Sequence, residues 1–151
     1  MTLRYLLDTS TLSAVIAQKP NTNVVRRLTS KEAECALPAP VWTELVCGYE
    51  SLPPGKRRKV VEAFLRDVVL ELFPVLAYDR DAAAWHGLER ARQERSERTS
   101  TLVSGQIAAI AAVHGLVVVT AHPGDFAEFS ELSVEDWTGK RVKRAGATGS
   151  A

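Results

Sequence analysis

Residues 106–119, Gln-Ile-Ala-Ala-Ile-Ala-Ala-Val-His-Gly-Leu-Val-Val-Val, constrain the fold more than any other stretch of the chain. Ile107, Ile110, Ala111 and His114 fall on one helical face, and Gly115 is a good helix terminator. Leu116 to Val119 then form an unbroken apolar, β-branched run. A strand without polar alternation is buried on both faces, and such strands belong to parallel sheets covered by helices.

The same alternation of short strands and helices recurs from the start. Leu3 to Leu7 reads as a buried strand, and Ser10 to Ala17 as a helix capped by Ser10 or Thr9. Pro20 interrupts it, and Asn21 or Thr22 starts a second helical piece carrying Val24, Val25 and Leu28. Glu34 to Leu37 is a second strand. Pro38-Ala39-Pro40 introduces a helix with Trp42, Leu45, Val46 and Tyr49 at i, i+3, i+4 and i+7. After the Pro53-Pro54-Gly55 turn, Lys56 to Leu72 is helical with a buried stripe through Val60, Phe64 and Val68. Pro74 to Ala77 reads as a strand, Asp79 caps a long helix, and Leu132 to Val134 is a final short strand before Trp137. The fold class is therefore α/β, with strands separated by helices in a mostly parallel sheet covered on both faces.

The 151 residues fit one domain, placed at residues 1–138, with residues 139–151 as a basic, disordered tail. Lys140, Arg141, Lys143 and Arg144 lie in that tail, so the net charge of +1 leaves the rest of the chain mildly acidic. No global field draws nucleic acid to it. The dense Glu and Arg mixture at residues 89–98 reads as a solvated helix surface rather than an RNA-binding strip. Cys35 and Cys47 have no companions at zinc-site spacing and read as reduced, partly buried thiols of a cytoplasmic protein. No targeting segment opens the chain and no apolar run reaches membrane-spanning length. The first strand is followed by no glycine-rich phosphate loop or dinucleotide fingerprint, which disfavours an NTPase or a dehydrogenase.

Asp8 is the main candidate for chemistry, because it stands at the carboxyl end of the first strand, where open α/β sheets gather ligands and metals. It is either a hard oxygen ligand for Mg²⁺ or Mn²⁺ or a cap for the next helix. Glu44 lies outside the apolar stripe of its helix and reads as solvent-facing unless that helix end borders a cleft. Thr120, His122 and Asp125 follow the strand ending at Val119 and would hang at the same sheet edge as Asp8. His122 could ligate a metal, hold a phosphate oxygen or move a proton, or be an exposed loop histidine. Ser10 and Thr120 could position a water or a phosphate oxygen. His86 and His114 are structural or surface residues.

Tyr5-Leu-Leu-Asp-Thr-Ser-Thr-Leu-Ser13, Val41-Trp-Thr-Glu-Leu-Val-Cys-Gly48 and the run from Gln106 to Thr120, followed by Asp125-Phe126, together resemble the PIN-domain family. The likeness is to the VapC-type ribonuclease toxins with their FitB-like branch, and it covers roughly residues 3–137. It implies a three-layer α/β/α sandwich and an acidic cleft holding Mg²⁺ or Mn²⁺. It also implies endonucleolytic cleavage of RNA leaving 5′-phosphate and 3′-hydroxyl ends, a small antitoxin partner and a homodimer. Carried over by residue, Asp8 and Glu44 match the first two family carboxylates. The third position is Ser104, and the fourth, commonly Asn or Asp, is His122.

The resemblance thus assigns catalysis to Asp8, Glu44 and Asp125, metal binding to those three with His122, and supporting positions to Ser104, Thr120 and Ser10. A neutral hydroxyl at Ser104 attracts a hard divalent ion less than a carboxylate does, which implies impaired nuclease activity unless Asp125 compensates. The alternative is a non-catalytic PIN-fold binding protein that keeps antitoxin or RNA binding. Ser104→Asp should tighten Mg²⁺ binding about tenfold and raise the rate of RNA cleavage. Metal titration and cleavage assays on the folded variant check both, and unchanged values would refute the idea.

Overall fold

The structure is a computed structural model describing residues 2–139. The expected basic tail therefore lies outside the described residues, apart from Gly139. Among the described residues, five short parallel strands form one sheet: β1 (Tyr5–Leu7), β2 (Cys35–Pro38), β3 (Val75–Leu76), β4 (Val117–Val119) and β5 (Val134–Glu135). Their spatial order is β3-β2-β1-β4-β5. The chain winds outward from β1 to β3, then crosses back to lay β4 on the other side of β1. The sheet is flanked by helices, as the resemblance implied. All of β1 and β2 is buried, with Leu6, Leu7, Ala36 and Leu37 inaccessible to solvent. This is the two-sided burial that the unalternating apolar runs require.

The helices are α1 (Thr9–Ile16), α2 (Thr22–Lys31), α3 (Ala39–Glu50), α4 (Lys56–Phe64), α5 (Leu70–Leu72), α6 (Arg80–Arg95) and α7 (Leu102–His114). Capping explains most starts. Asn21 accepts the Val24 N–H at 3.1 Å, Asp79 the Ala82 N–H at 3.0 Å and Thr101 the Ser104 N–H at 3.1 Å. Gly115 ends α7 in the left-handed conformation at φ 65°, where its missing Cβ avoids strain. Among the described residues no helix is long and apolar enough to cross a membrane.

Three helical expectations need correction. The cap of α1 is Asp8, one of the two roles expected of it, rather than Ser10 or Thr9. Between α4 and α5, residues Leu65–Val69 form a π-helical stretch, which adds a residue to the turn and shifts the helix phase. The buried positions are Val61, Phe64, Leu65 and Val69, whereas Val60 is 53% exposed. On α3 it is Val41 and Leu45 that reach the core, leaving Val46 at the surface. The thiols also divide. Cys35 is buried and its thiol is pushed up to about 12 chiefly by that burial, which makes it inert, while Cys47 is exposed.

The α6–α7 hairpin carries the far wall of the site, and a glycine sets its closeness. His86 of α6 is 3% exposed, and its Nδ1 lies 2.9 Å from the Tyr78 hydroxyl. Burial, followed by the charge of Arg90, pushes its pKa below the ordinary imidazole value, so it is a neutral structural histidine as expected. A Cβ on Gly105 would come within 2.0 Å of His86 Nε2. Gly105→Ala should therefore destabilise the fold by about 3 kcal/mol, read as a lower midpoint in thermal or urea unfolding. Adding His86→Ala to that variant should recover part of the loss.

Candidate active site

The register of the sheet brings the site together. Leu7 of β1 pairs with Val119 of β4, so the next residues, Asp8 and Thr120, emerge level with one another at the carboxyl edge. This point, between the outward-winding half of the sheet and the half that crosses back, is where doubly wound sheets place their ligands. The Asp8 N–H continues the ladder by donating to the Val119 carbonyl at 2.9 Å.

Both carboxylate oxygens of Asp8 are held. Oδ1 accepts the Thr9 N–H at 2.8 Å, and Oδ2 accepts the Thr120 hydroxyl at 2.8 Å. Ser10 Oγ lies 3.4 Å from Oδ2 and 3.3 Å from Thr120 Oγ1, and it accepts the Ala121 N–H at 3.0 Å. Thr120, with no solvent exposure, also accepts the His122 N–H at 3.0 Å. Capping and a ligand role are compatible here. Oδ1 takes a single donor, so it keeps lone-pair capacity toward the edge, while α1 and β4 lock the carboxylate's rotamer. Ser10 and Thr120 are thus brought directly to Asp8.

The other expected residues stand farther apart. Glu44 is exposed in the second turn of α3 and makes no hydrogen bond or ion pair with the described residues. His122 and Asp125 are exposed in the segment after β4, where Pro123–Phe126 forms a 3₁₀ turn anchored by buried Phe126. The Asp125 N–H donates to the His122 carbonyl at 3.0 Å. Ser104 is buried in the first turn of α7, and its hydroxyl accepts from Thr101 at 2.9 Å. A carboxylate there would be welcomed by the helix dipole, so nothing in the local backbone demands a hydroxyl. Ser104 and Asp125 line opposite walls of a cleft of about 330 Å³, together with Thr99, Thr101, Gly124 and Glu128. Asp8 and Glu44 are not among its lining residues.

The donors are of the kind that suits a hard divalent ion, carboxylate oxygens with a nearby imidazole. Their number is short. Among the described residues no three His, Cys, Asp or Glu side chains gather as a metal-binding group.

One group escaped the sequence. Glu89 and Gln93, expected on a solvated face, are buried at 6% and 3% exposure. Glu89 takes a bidentate pair from Arg92 at 2.9 and 3.0 Å and the Ser130 N–H at 2.7 Å. These donors hold its carboxyl down to about 2, the Arg92 hydrogen bonds contributing most. The i, i+3 spacing of Glu89 and Arg92 was visible in the sequence, but it is equally that of a surface pair.

A family model described as PIN domain matches residues 5–132. The chain belongs to the PIN-domain family. Within that family it is similar to the tRNA(fMet)-specific endonuclease VapC of Salmonella typhimurium, with 32% identity over 136 residues, 89% of this chain and 98% of the relative. It is 33% identical over 124 residues to Toxin FitB of Neisseria gonorrhoeae, covering 80% of this chain and 89% of that toxin. Among solved structures, FitAB bound to an IR36 DNA fragment superposes with a TM-score of 0.82 at 27% identity, covering 92% of this chain and 99% of that one. DNA-bound VapBC from Salmonella typhimurium gives 0.78 at 27% identity, over 89% and 98% of the two chains. This PIN domain is thus a VapC/FitB-like homologue across nearly its whole described length.

Thr120 is the joint of the PIN-domain edge. Thr120→Val keeps the shape but removes the donor to Asp8 and the acceptor for the His122 N–H. It should cost about 2 kcal/mol of folding stability, measured as a lower urea midpoint at unchanged slope.

Proposed function

We propose that this PIN-domain protein is the toxin of a type II toxin–antitoxin pair and hydrolyses RNA phosphodiester bonds with Mg²⁺ or Mn²⁺ at a weakened site. The observation that carries the reading is the Asp8 carboxylate, fixed by Thr9, Ser10 and Thr120 at the reversal point of the sheet. The likeness to a VapC endonuclease and to FitB supports it.

In this reading Asp8 and Glu44 would hold the ion, with help from Asp125 or His122 and from Ser104 through water. Such an ion activates water for attack and offsets charge developing on the phosphate. The chain's own part is preorganisation: Thr120 and Ser10 hold Asp8 in one rotamer, and the 3₁₀ turn keeps Asp125 and His122 beside the same edge. The absence of a three-ligand group among the described residues favours the second reading, a non-catalytic binding protein that keeps antitoxin or RNA recognition.

A small antitoxin and a second copy of this chain are the protein partners we propose. The solved relatives include FitAB and VapBC assemblies, which supports the first. A groove of about 250 Å³ between α3 and the helix at residues 56–72, lined by Trp42, Val46, Tyr49, Leu65 and Leu70, offers apolar surface for such contacts. Leu70 is 51% exposed there.

Antitoxin-free protein should cleave a mixed RNA substrate when given Mn²⁺ or Mg²⁺, and chelation should stop it. Asp8→Asn, prepared in parallel to exclude a contaminating nuclease, should fall to background. A folded wild type that never cleaves would favour the binding reading.

A further inference from the structure

Lys56, Arg57, Arg58 and Lys59 stand in succession at the start of α4, directly after the Pro53-Pro54-Gly55 turn. A helix begins with the positive end of its dipole, so cations here work against the helix that carries them. No acidic side chain in the first turn offsets them, and Gly55 supplies no side-chain cap. In a chain that is mildly acidic outside its last residues, four adjacent cations create a local field of their own.

The fold accounts for Arg58. It donates to the carbonyls of Tyr49, Glu50 and Leu52 at 3.2, 3.4 and 2.8 Å and to the Glu50 carboxylate at 3.3 Å. Its Cζ lies 4.3 Å from the centroid of the Tyr49 ring, so this side chain closes the carboxyl end of α3. Arg57 is exposed and donates to the Ile16 carbonyl at 2.5 Å, which ties the basic turn to the end of α1 and leaves most of its donors facing water. Lys56 and Lys59 are exposed, as is Lys19, three residues beyond Ile16. None of these lysines makes a hydrogen bond or ion pair with the described residues.

Because α1 starts at Asp8 and has eight residues, about 12 Å of helix separates the Asp8 edge from this basic end. The Asp8 edge is itself a poor anchor for a polyanion. Asp8 and Asp125 are carboxylates, and no Lys or Arg lines the cleft between Ser104 and Asp125. A strand of phosphates therefore needs its grip elsewhere on the surface. Lysine binds phosphate as a point charge and is depleted at protein–protein interfaces, which favours a nucleic-acid backbone over an acidic protein here.

We infer that Lys56, Arg57 and Lys59, with Lys19 beyond the end of α1, form a backbone-binding surface that holds RNA phosphates and fixes the strand without reading its bases. The inference deepens the ribonuclease reading above by naming where its RNA is gripped, but it needs neither metal nor cleavage.

The test follows binding of labelled, mixed-sequence single-stranded RNA to the full chain by fluorescence anisotropy, in EDTA and over a range of salt. Lys56→Gln combined with Lys59→Gln should weaken binding about tenfold at low salt. It should also flatten the slope of log affinity against log salt by about 1.4, at about 0.7 for each single-strand phosphate contact. The loss should be the same for oligonucleotides of different sequence. The thermal midpoint should hold or rise, because two cations leave a helix N-terminus, and this separates lost binding from lost fold. Arg80→Gln, removing an almost fully exposed cation at the start of α6, should leave the slope unchanged. Unchanged affinity and slope in the double variant, or a like loss from Arg80→Gln, would overturn the inference. So would loss of poly-glutamate binding with RNA binding intact, the mark of an acidic protein partner. Wild-type protein that grips RNA through these lysines yet never cleaves it with Mn²⁺ would overturn the ribonuclease reading and leave this inference standing. Wild-type protein that binds no RNA would overturn both.

Discussion

The pairing of β1 with β4 is the constraint on which the rest depends. Parallel strands have no hairpin to bring them together, so Tyr5–Leu7 and Val117–Val119 are joined only through the long intervening chain. Once they are in register, Asp8 and Thr120, 112 residues apart in sequence, lie within hydrogen-bonding distance at 2.8 Å. A slip of one residue would take Asp8 out of reach of Thr120. Core packing and site assembly are therefore the same event.

The two ends of the candidate site are built by different physics. Asp8 is held by local capping and by a strand neighbour, both consequences of regular secondary structure. Asp125 sits on an irregular segment whose position depends on side-chain chemistry: buried aromatic anchors, and a carboxylate held down to about 2 by Arg92 and by the Ser130 N–H. The first kind of support is rigid wherever the sheet forms. The second can be altered by one side chain without disturbing the sheet, which makes that wall of the cleft the more tunable one.

The departure at Ser104 fits this division. It sits in the first turn of α7, a buried helix whose approach to α6 is set by Gly105 against His86. The backbone there is compatible with a carboxylate, so in the proposed reading the hydroxyl would change the chemistry of the site while the fold stays that of a VapC/FitB-like PIN domain.

Much of this was legible in the chain itself. The unalternating runs ending at Leu7 and Val119 required a buried parallel sheet, the Gly115 stop and the Asn21 and Asp79 caps marked helix ends, and the stretches around Asp8 and Glu44 and from Gln106 to Thr120 marked the family. Local periodicity and short-range capping are written in neighbouring residues, so sequence determines them. Tertiary structure decided the rest. The buried stripe of α4 runs through Val61 rather than Val60, and the π-helical stretch that follows has no sequence signature. Glu89 and Gln93 turned inward because backbone groups of residues 128–130, far along the chain, needed partners there. Whether a polar residue faces water or the core depends on what packs against it, and that is settled only when the chain closes on itself.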